Sequence, residues 1–277
     1  MTQLGIAIMS YNRPDYLREM LATLADNDLT GCDVHLWQDG PLPDNDPEAI
    51  NTSMAAFEQT DLPNKVIHES AVNLCCAKHR AQVMPYMAGQ YERFICMDND
   101  IILSPYAMTH LRTLLDQYDD DEQIAGVSPG LRLLCAPEEA MRYRDAVTDL
   151  LTGHLWCEGY WAHKWARLWP WYEQYLSVLG EQDYRTIVPE QENIKAWNRS
   201  ISGDERFDGP SSDTALIRAI HLSGMTRLRL VVNRATGIGD WGLHCRPDIL
   251  AELGVGHQPI PTWDDEPTIG AFWEWAA

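Results

Sequence analysis

The strongest constraint on this chain is a rhythm in its first half. Short apolar runs alternate there with segments of helical periodicity, the pattern of strand–helix–strand crossovers that build one sheet covered by helices. Gly5 to Met9 (GIAIM) reads as a buried strand ending at Ser10-Tyr11-Asn12-Arg13-Pro14. Leu17, Met20, Leu21 and Leu24 then fall at i, i+3, i+4 and i+7, with Pro14 where a first helical turn tolerates it. Val34 to Trp37 is a second strand, Pro47 to Phe57 a helix, Val66 and Ile67 the core of a third strand, and Cys75 to Met87 another helix. Phe94 to Met97 makes a strand that runs into Asp98-Asn99-Asp100, and a helix from Pro105 to Tyr118 closes this half.

The second half is less regular. Strands are expected at Ile124 to Val127, Leu131 to Leu134 and Leu228 to Val232, and helices at Pro137 to Leu151 and Thr214 to Leu222. Residues 154 to 175 hold Trp156, Trp161, Trp165, Trp169 and Trp171, whose spacing suits a packed core and whose faces would also suit a sugar ring. Residues 181 to 211 are polar and turn-rich and predict a mobile loop, and Gly237-Ile238-Gly239 opens a turn leading to His244. No linker separates independent domains, so the expectation is one α/β domain with a mixed central sheet, divided into residues 1–110 and 111–277.

Composition narrows the function. Of 277 residues, 21 are Lys or Arg and 41 are Asp or Glu, a formal charge of −20, which repels nucleic-acid phosphates and anionic lipid heads and argues against general binding of either. No apolar stretch approaches the roughly 18 residues of a spanning helix, and the N-terminus lacks a basic, cleavable leader, so a soluble cytoplasmic protein is expected. The seven cysteines are scattered without a CxxC pair and read as free thiols, and the sequons at Asn51 and Asn198 read as chance matches.

Asp98 and Asp100 carry the most chemical information. Side chains two apart at a strand exit point to the same side, so both carboxylates would face one ligand while Asn99 faces away. Two hard oxygen donors at that spacing can hold one divalent cation, with substrate phosphate oxygens completing its shell; the alternative is a solvated turn. Ser-Ser-Asp at 211–213 precedes an apolar-periodic run and can be a helix cap. Arg227, Arg229, Arg234 and Arg246 make the tail locally basic, and near an anionic donor they would offset its charge.

Four segments in order resemble the family-2-like glycosyltransferases with the GT-A (Rossmann-like) fold: IAIMSYNRPDYLREMLATL from Ile6, LWQDG at 36–40, NLCCAKHR at 73–80, and FICMDNDIILSP at 94–105 with its DXD motif. The resemblance covers about the first 110 residues. It implies a metal-dependent transfer of a sugar from a nucleotide-diphosphate donor, UDP-linked, to an acceptor hydroxyl. The half 1–110 would bind the donor and the half 111–277 the acceptor. Ser10, Tyr11, Asn12, Arg13, Asp39, Asn73, Arg80 and Asp98 would line the donor site, with Asp39 reading the base. Lys78 and Arg80 could not both face the site. Asp98, Asp100 and His244 would hold Mn²⁺ or Mg²⁺, the imidazole favouring manganese. Asp213 matches the catalytic Asp of the family's Glu-Asp pair, with Ser212 in place of the Glu, and would make the reaction inverting; if Asp213 only caps its helix, retention stays open. Two alternatives remain: a nucleotidyltransferase, disfavoured because Ser10 to Pro14 contains no glycine, and a non-catalytic protein that binds carbohydrate or nucleotide sugar on the same fold.

Overall fold

The computed structural model describes residues 3–42, 47–151, 153, 155–181, 192–240, 258–263 and 271–275. Strands β1 (Leu4–Ser10), β2 (Cys32–Gln38), β3 (Lys65–Glu69) and β4 (Arg93–Asp98) alternate with helices α1 (Pro14–Ala25), α2 (Pro47–Gln59) and α3 (Cys75–Gln90). Then come β5 (Ile101–Leu103), α4 (Ala107–Gln117), β6 (Ile124–Ser128), β7 (Ala146–Asp149), β8 (Cys157–Trp161) and α5 (Ala162–Leu179). After α6 (Glu192–Ser202) and α7 (Ser212–Leu222), strands β9 (Thr226–Leu230), β10 (Ala235–Gly237) and β11 (Trp273–Glu274) complete the described elements.

Among the described residues the main sheet runs β11-β7-β9-β6-β8-β4-β1-β2-β3. The β4-β1-β2-β3 half is wholly parallel, and β8 joins it antiparallel between β4 and β6, which makes the whole sheet mixed. Side chains alternate across β1: Ile6 and Ile8 pack into one core with Leu17 and Leu21 of α1, Phe57 of α2 and Leu111 of α4. Ala7 and Met9 pack into the other with Val83 and Met84 of α3, Tyr172 and Tyr175 of α5 and Leu216 of α7. A strand covered on both faces has no polar face to alternate with, which is why GIAIM is apolar throughout.

Register sets the site. Ser10 lies beside Gln38, and Met9 beside Asp98, so the carboxyl ends of β1, β2 and β4 stop at one edge. Asp39 N donates to Ser10 O at 2.8 Å and Asn99 N to Met9 O at 3.1 Å, and these bonds tie the three exits together. Open α/β sheets bind their ligands along this edge.

The second half departs from the sequence expectations in three places. Leu131 to Leu134 forms no strand, and Pro137 to Leu151 holds a 3-10 turn at Pro137–Glu139 followed by β7 rather than a helix, because Ala146 and Val147 are drawn into the sheet beside β9. The tryptophan-rich stretch divides into β8 and α5, with Trp161 and Trp165 buried as core. The stretch expected to be a mobile loop contains α6, whose Ile194 is fully buried; residues 182–191 of that expectation lie outside the described residues. Cys32, Cys75, Cys76, Cys96, Cys135 and Cys157 are free thiols, and among the described residues no helix is long and apolar enough to cross a membrane.

Candidate active site at the carboxyl edge of the parallel strands

Asp98 ends β4 and Asp100 sits in the turn before β5. Between them Asn99 is buried, its amide directed at Ser10 Oγ 3.5 Å away, so the middle residue of the triplet points into the protein. Asp98 is half-buried, and its main-chain N–H donates to Trp156 O at 2.8 Å. Burial pushes its carboxyl up to about 8; Arg80 and Arg13 oppose that shift, while Asp100 and Asp213 add to it. The shift is mainly the cost of holding a charge away from water, so this carboxyl favours its neutral form near pH 7.

Asp100 is gripped from two sides. Arg13 Nη1 lies 2.9 Å from Asp100 Oδ2, and Ile238 N donates to Asp100 O at 2.8 Å from the segment following β10. Gly239 rests so closely on the Asp100 carboxylate that any Cβ there would collide with it. Tyr16 OH, on α1, donates to Asp240 Oδ1 at 2.6 Å and fastens the same segment from outside. The glycines noted in the sequence thus include one whose missing side chain is what allows the approach. His244, Gly242 and Arg246 lie outside the described residues.

Asp39 forms a second cluster. Its Oδ1 accepts from the N–H of Gly40 (2.9 Å) and of Leu74 (2.8 Å), and its Oδ2 from Cys75 N (3.1 Å) and Asn73 Nδ2 (3.1 Å). Asn73 also donates to Gly40 O at 2.9 Å, and Gln38 Nε2 to Tyr11 O at 2.6 Å. Burial raises the Asp39 carboxyl above its ordinary range and the three backbone N–H groups partly offset it. Cys75, at φ 58°, holds a left-handed conformation that a non-glycine residue rarely adopts, and its N–H is one of the four donors to Asp39. With both oxygens engaged, Asp39 ties the start of α3 to the end of β2. Asn73 serves that tie, and Tyr11 and Asn12 are half-buried on the adjoining turn.

The third component crosses the two halves. Arg80, on α3, is 3% exposed and its Nη2 lies 3.1 Å from Oδ1 of Asp213, whose side chain is 23% exposed. The helix cap at α7 is a different residue: Ser211 Oγ accepts from Thr214 N at 3.1 Å, leaving the Asp213 carboxylate, at the second helical position, for Arg80. Burial alone would lower the Arg80 pKa, yet the carboxylates of Asp213 and Asp98 carry it well above its usual value. Lys78 is on another face of α3, 3.9 Å from Glu181. Cys76, one helical turn before Arg80, is exposed at this edge; dense surroundings, Asp98 and Asp213 push its thiol up to about 12, so it remains protonated. Sequence reasoning passed over Cys76, although its i, i+4 relation to Arg80 marks the same helix face.

Arg227, Arg229 and Arg234 are engaged elsewhere. Arg227 forms a buried pair with Glu158, Arg229 donates to Leu230 O and Arg132 O, and Arg234 is buried against the Trp263 ring. These arginines neutralise and bind inside the protein rather than offsetting a donor's charge.

Asp98 and Asp100 are hard oxygen donors of the type a divalent cation takes. Among the described residues no group of three His, Cys, Asp or Glu side chains is placed to enclose a metal.

A sheet edge of this construction places the chain among open-sheet α/β proteins, a class whose ligands sit along that edge. Within that class, residues 5–129 match the model described as Glycosyl transferase family 2. No curated protein matches the sequence. Among solved structures, TarS 1–349 of S. aureus in complex with UDP-GlcNAc is similar at 12% identity and a TM-score of 0.47, over 84% of this chain and 57% of that one. Mannosyltransferase PcManGT from Pyrobaculum calidifontis, in complex with GDP-Man and Mn²⁺, is similar at 12% identity and a TM-score of 0.40, over 80% and 69%. Against another TarS 1–349 structure the match spans 47% of that chain, about half its length.

Proposed function

We propose that this protein is a glycosyltransferase that moves a sugar from a nucleotide-diphosphate donor to an acceptor hydroxyl. The observation that carries the reading is the convergence of Arg13, Asp98, Asp100, Arg80 and Asp213 at one sheet edge, four of them within the family-2 segment. The donor's base is assigned to the walls made by Tyr11, Asn12, Asp39 and Asn73, and its diphosphate to the Ser10–Arg13 turn. Asp98 and Asp100, with His244 as a third candidate ligand, would hold a divalent cation, Mn²⁺ or Mg²⁺, whose chemistry there is to stabilise charge on the departing diphosphate.

Asp213 is the assigned base. Its carboxylate takes the proton of the acceptor hydroxyl while the acceptor oxygen bonds to the anomeric carbon. The bond from that carbon to the phosphate oxygen breaks, and its electron pair leaves on the diphosphate. Attack from the face opposite the leaving group inverts the anomeric centre. The donor is assigned to the half 1–110 and the acceptor to the half 111–277.

The test is hydrolysis and transfer with a panel of UDP- and GDP-sugars, with and without Mn²⁺. Turnover that disappears in Asp98→Asn, with the fold intact, supports the reading; thermal stabilisation by a sugar nucleotide with no bond cleavage selects a binding protein instead. One observation favours that second reading: Asp100 is already paired with Arg13.

A further inference from the structure

We propose that Arg80 is a positioning residue for Asp213, holding the base in place without touching the donor; the inference rests on the transferase reading and assigns within it a role to one residue. The donor pocket is the natural first assignment for an arginine at this sheet edge. The atoms of Arg80 argue otherwise. Its Nε and Nη1 are closed off from solvent and have no hydrogen-bond partner, so a phosphate cannot reach either without rearrangement of α3. The remaining nitrogen, Nη2, is the one on Asp213 Oδ1 at 3.1 Å.

A buried guanidinium with two unpaired nitrogens is costly, and the fold keeps it because its charge faces Asp213 and Asp98. The pair also spans the molecule: residue 80 belongs to the family-2 segment and residue 213 to the other half, 133 positions later. Ser211 fixes the backbone at the start of α7, and Arg80 fixes the carboxylate that this cap leaves free. Without Arg80 the Asp213 side chain would sample other rotamers, and a base displaced by about 1 Å loses roughly two orders of magnitude in rate.

Two readouts test this. The first is calorimetric titration of the full chain with UDP in the presence of Mn²⁺. Arg80→Gln should bind UDP within about threefold of the wild type, because no donor contact is lost; weakening by more than tenfold overturns the proposal and returns Arg80 to the donor pocket. The second is steady-state hydrolysis of UDP-GlcNAc and GDP-mannose with water as acceptor. Arg80→Gln should lower kcat by about 10- to 100-fold with the donor KM unchanged. Arg80→Lys should recover most of that loss, since the contact to Asp213 is a single N···O pair that an ammonium can make. A rise in KM at constant kcat, or a lysine variant no better than glutamine, overturns it. Should Arg80→Gln fail to fold, Arg80→Lys decides alone: UDP affinity retained with a mildly lower kcat supports the proposal, and lost affinity overturns it. A wild type that binds no UDP or GDP and cleaves no donor overturns the function itself, and this inference with it.

Discussion

The molecule contains two arginine–carboxylate pairs of the same chemistry in two different settings. Glu158 and Arg227 join β8 to β9 at 0% and 1% exposure, and Tyr160 OH donates to the remaining Glu158 oxygen at 2.7 Å. Arg80 and Asp213 join α3 to α7, and there the carboxylate keeps 23% of its side chain open. Closed on all sides, the first pair can only hold strands together. The second leaves a carboxylate oxygen available at the sheet edge where Asp98 and Asp100 also lie. Opening one partner to solvent is what separates a structural ion pair from a candidate catalytic one.

Removing the open carboxylate should have the largest effect. Asp213→Asn is expected to lower turnover of a sugar-nucleotide donor by about a thousandfold, the middle of the range for a lost general base, and to lower the thermal midpoint less than loss of the closed pair does, because Asp98 still faces Arg80. A loss of stability without a specific loss of turnover would make the two pairs equivalent. Breaking the closed pair should do the reverse: Glu158→Gln leaves Arg227 buried and uncompensated and should cost about 3–5 kcal/mol in urea unfolding. The double variant Glu158→Leu/Arg227→Met should recover most of that, because the buried pair's attraction largely offsets its own desolvation.

Acid adds a contrast within the first half of the chain. His79 precedes Arg80 on α3, and burial together with that guanidinium holds its pKa down at about 4; burial and His68 hold His35 at about 4 as well. The unfolded chain would protonate these rings near the ordinary imidazole value of 6.5, so the folded state loses stability as pH falls from 6.5 toward 4 and loses nothing above that window. The expected loss between pH 7 and pH 5 is roughly 2 kcal/mol per histidine, and His79→Gln should flatten the slope accordingly. The smallest effect belongs to a third pair, Arg18–Asp15, at 51% and 90% side-chain exposure: Asp15→Asn should change stability by no more than about 0.5 kcal/mol.

Sequence reading served the two halves unequally. In the first, each strand and helix expected from apolar period appears in place, from GIAIM as β1 to the helix after Pro105 as α4, because crossover units bury continuous strands and one-sided helices that local spacing encodes. In the second, β7 lies where a helix was expected and β8 was hidden among tryptophans, since those short strands depend on partners distant in sequence. The site divides the same way. The inward turn of Asn99 between two aspartates follows from strand period. That Asp39 spends both oxygens on the start of α3, that Gly239 rests on Asp100, and that Arg227 is consumed by Glu158 rather than facing a donor, all follow from packing.

By itself, then, the order of residues determined the parallel half-sheet, its double covering and the carboxylates at its exit, because each depends on side-chain periodicity within a few residues. Only the folded chain decided which arginine meets which acid. Arg80 and Asp213 are 133 positions apart, and nothing local distinguishes Arg80 from Arg227 until closing the sheet buries one against α7 and the other beneath β8. Charge pairing is set by three-dimensional proximity and by the dielectric around it, and both exist only once the core has formed.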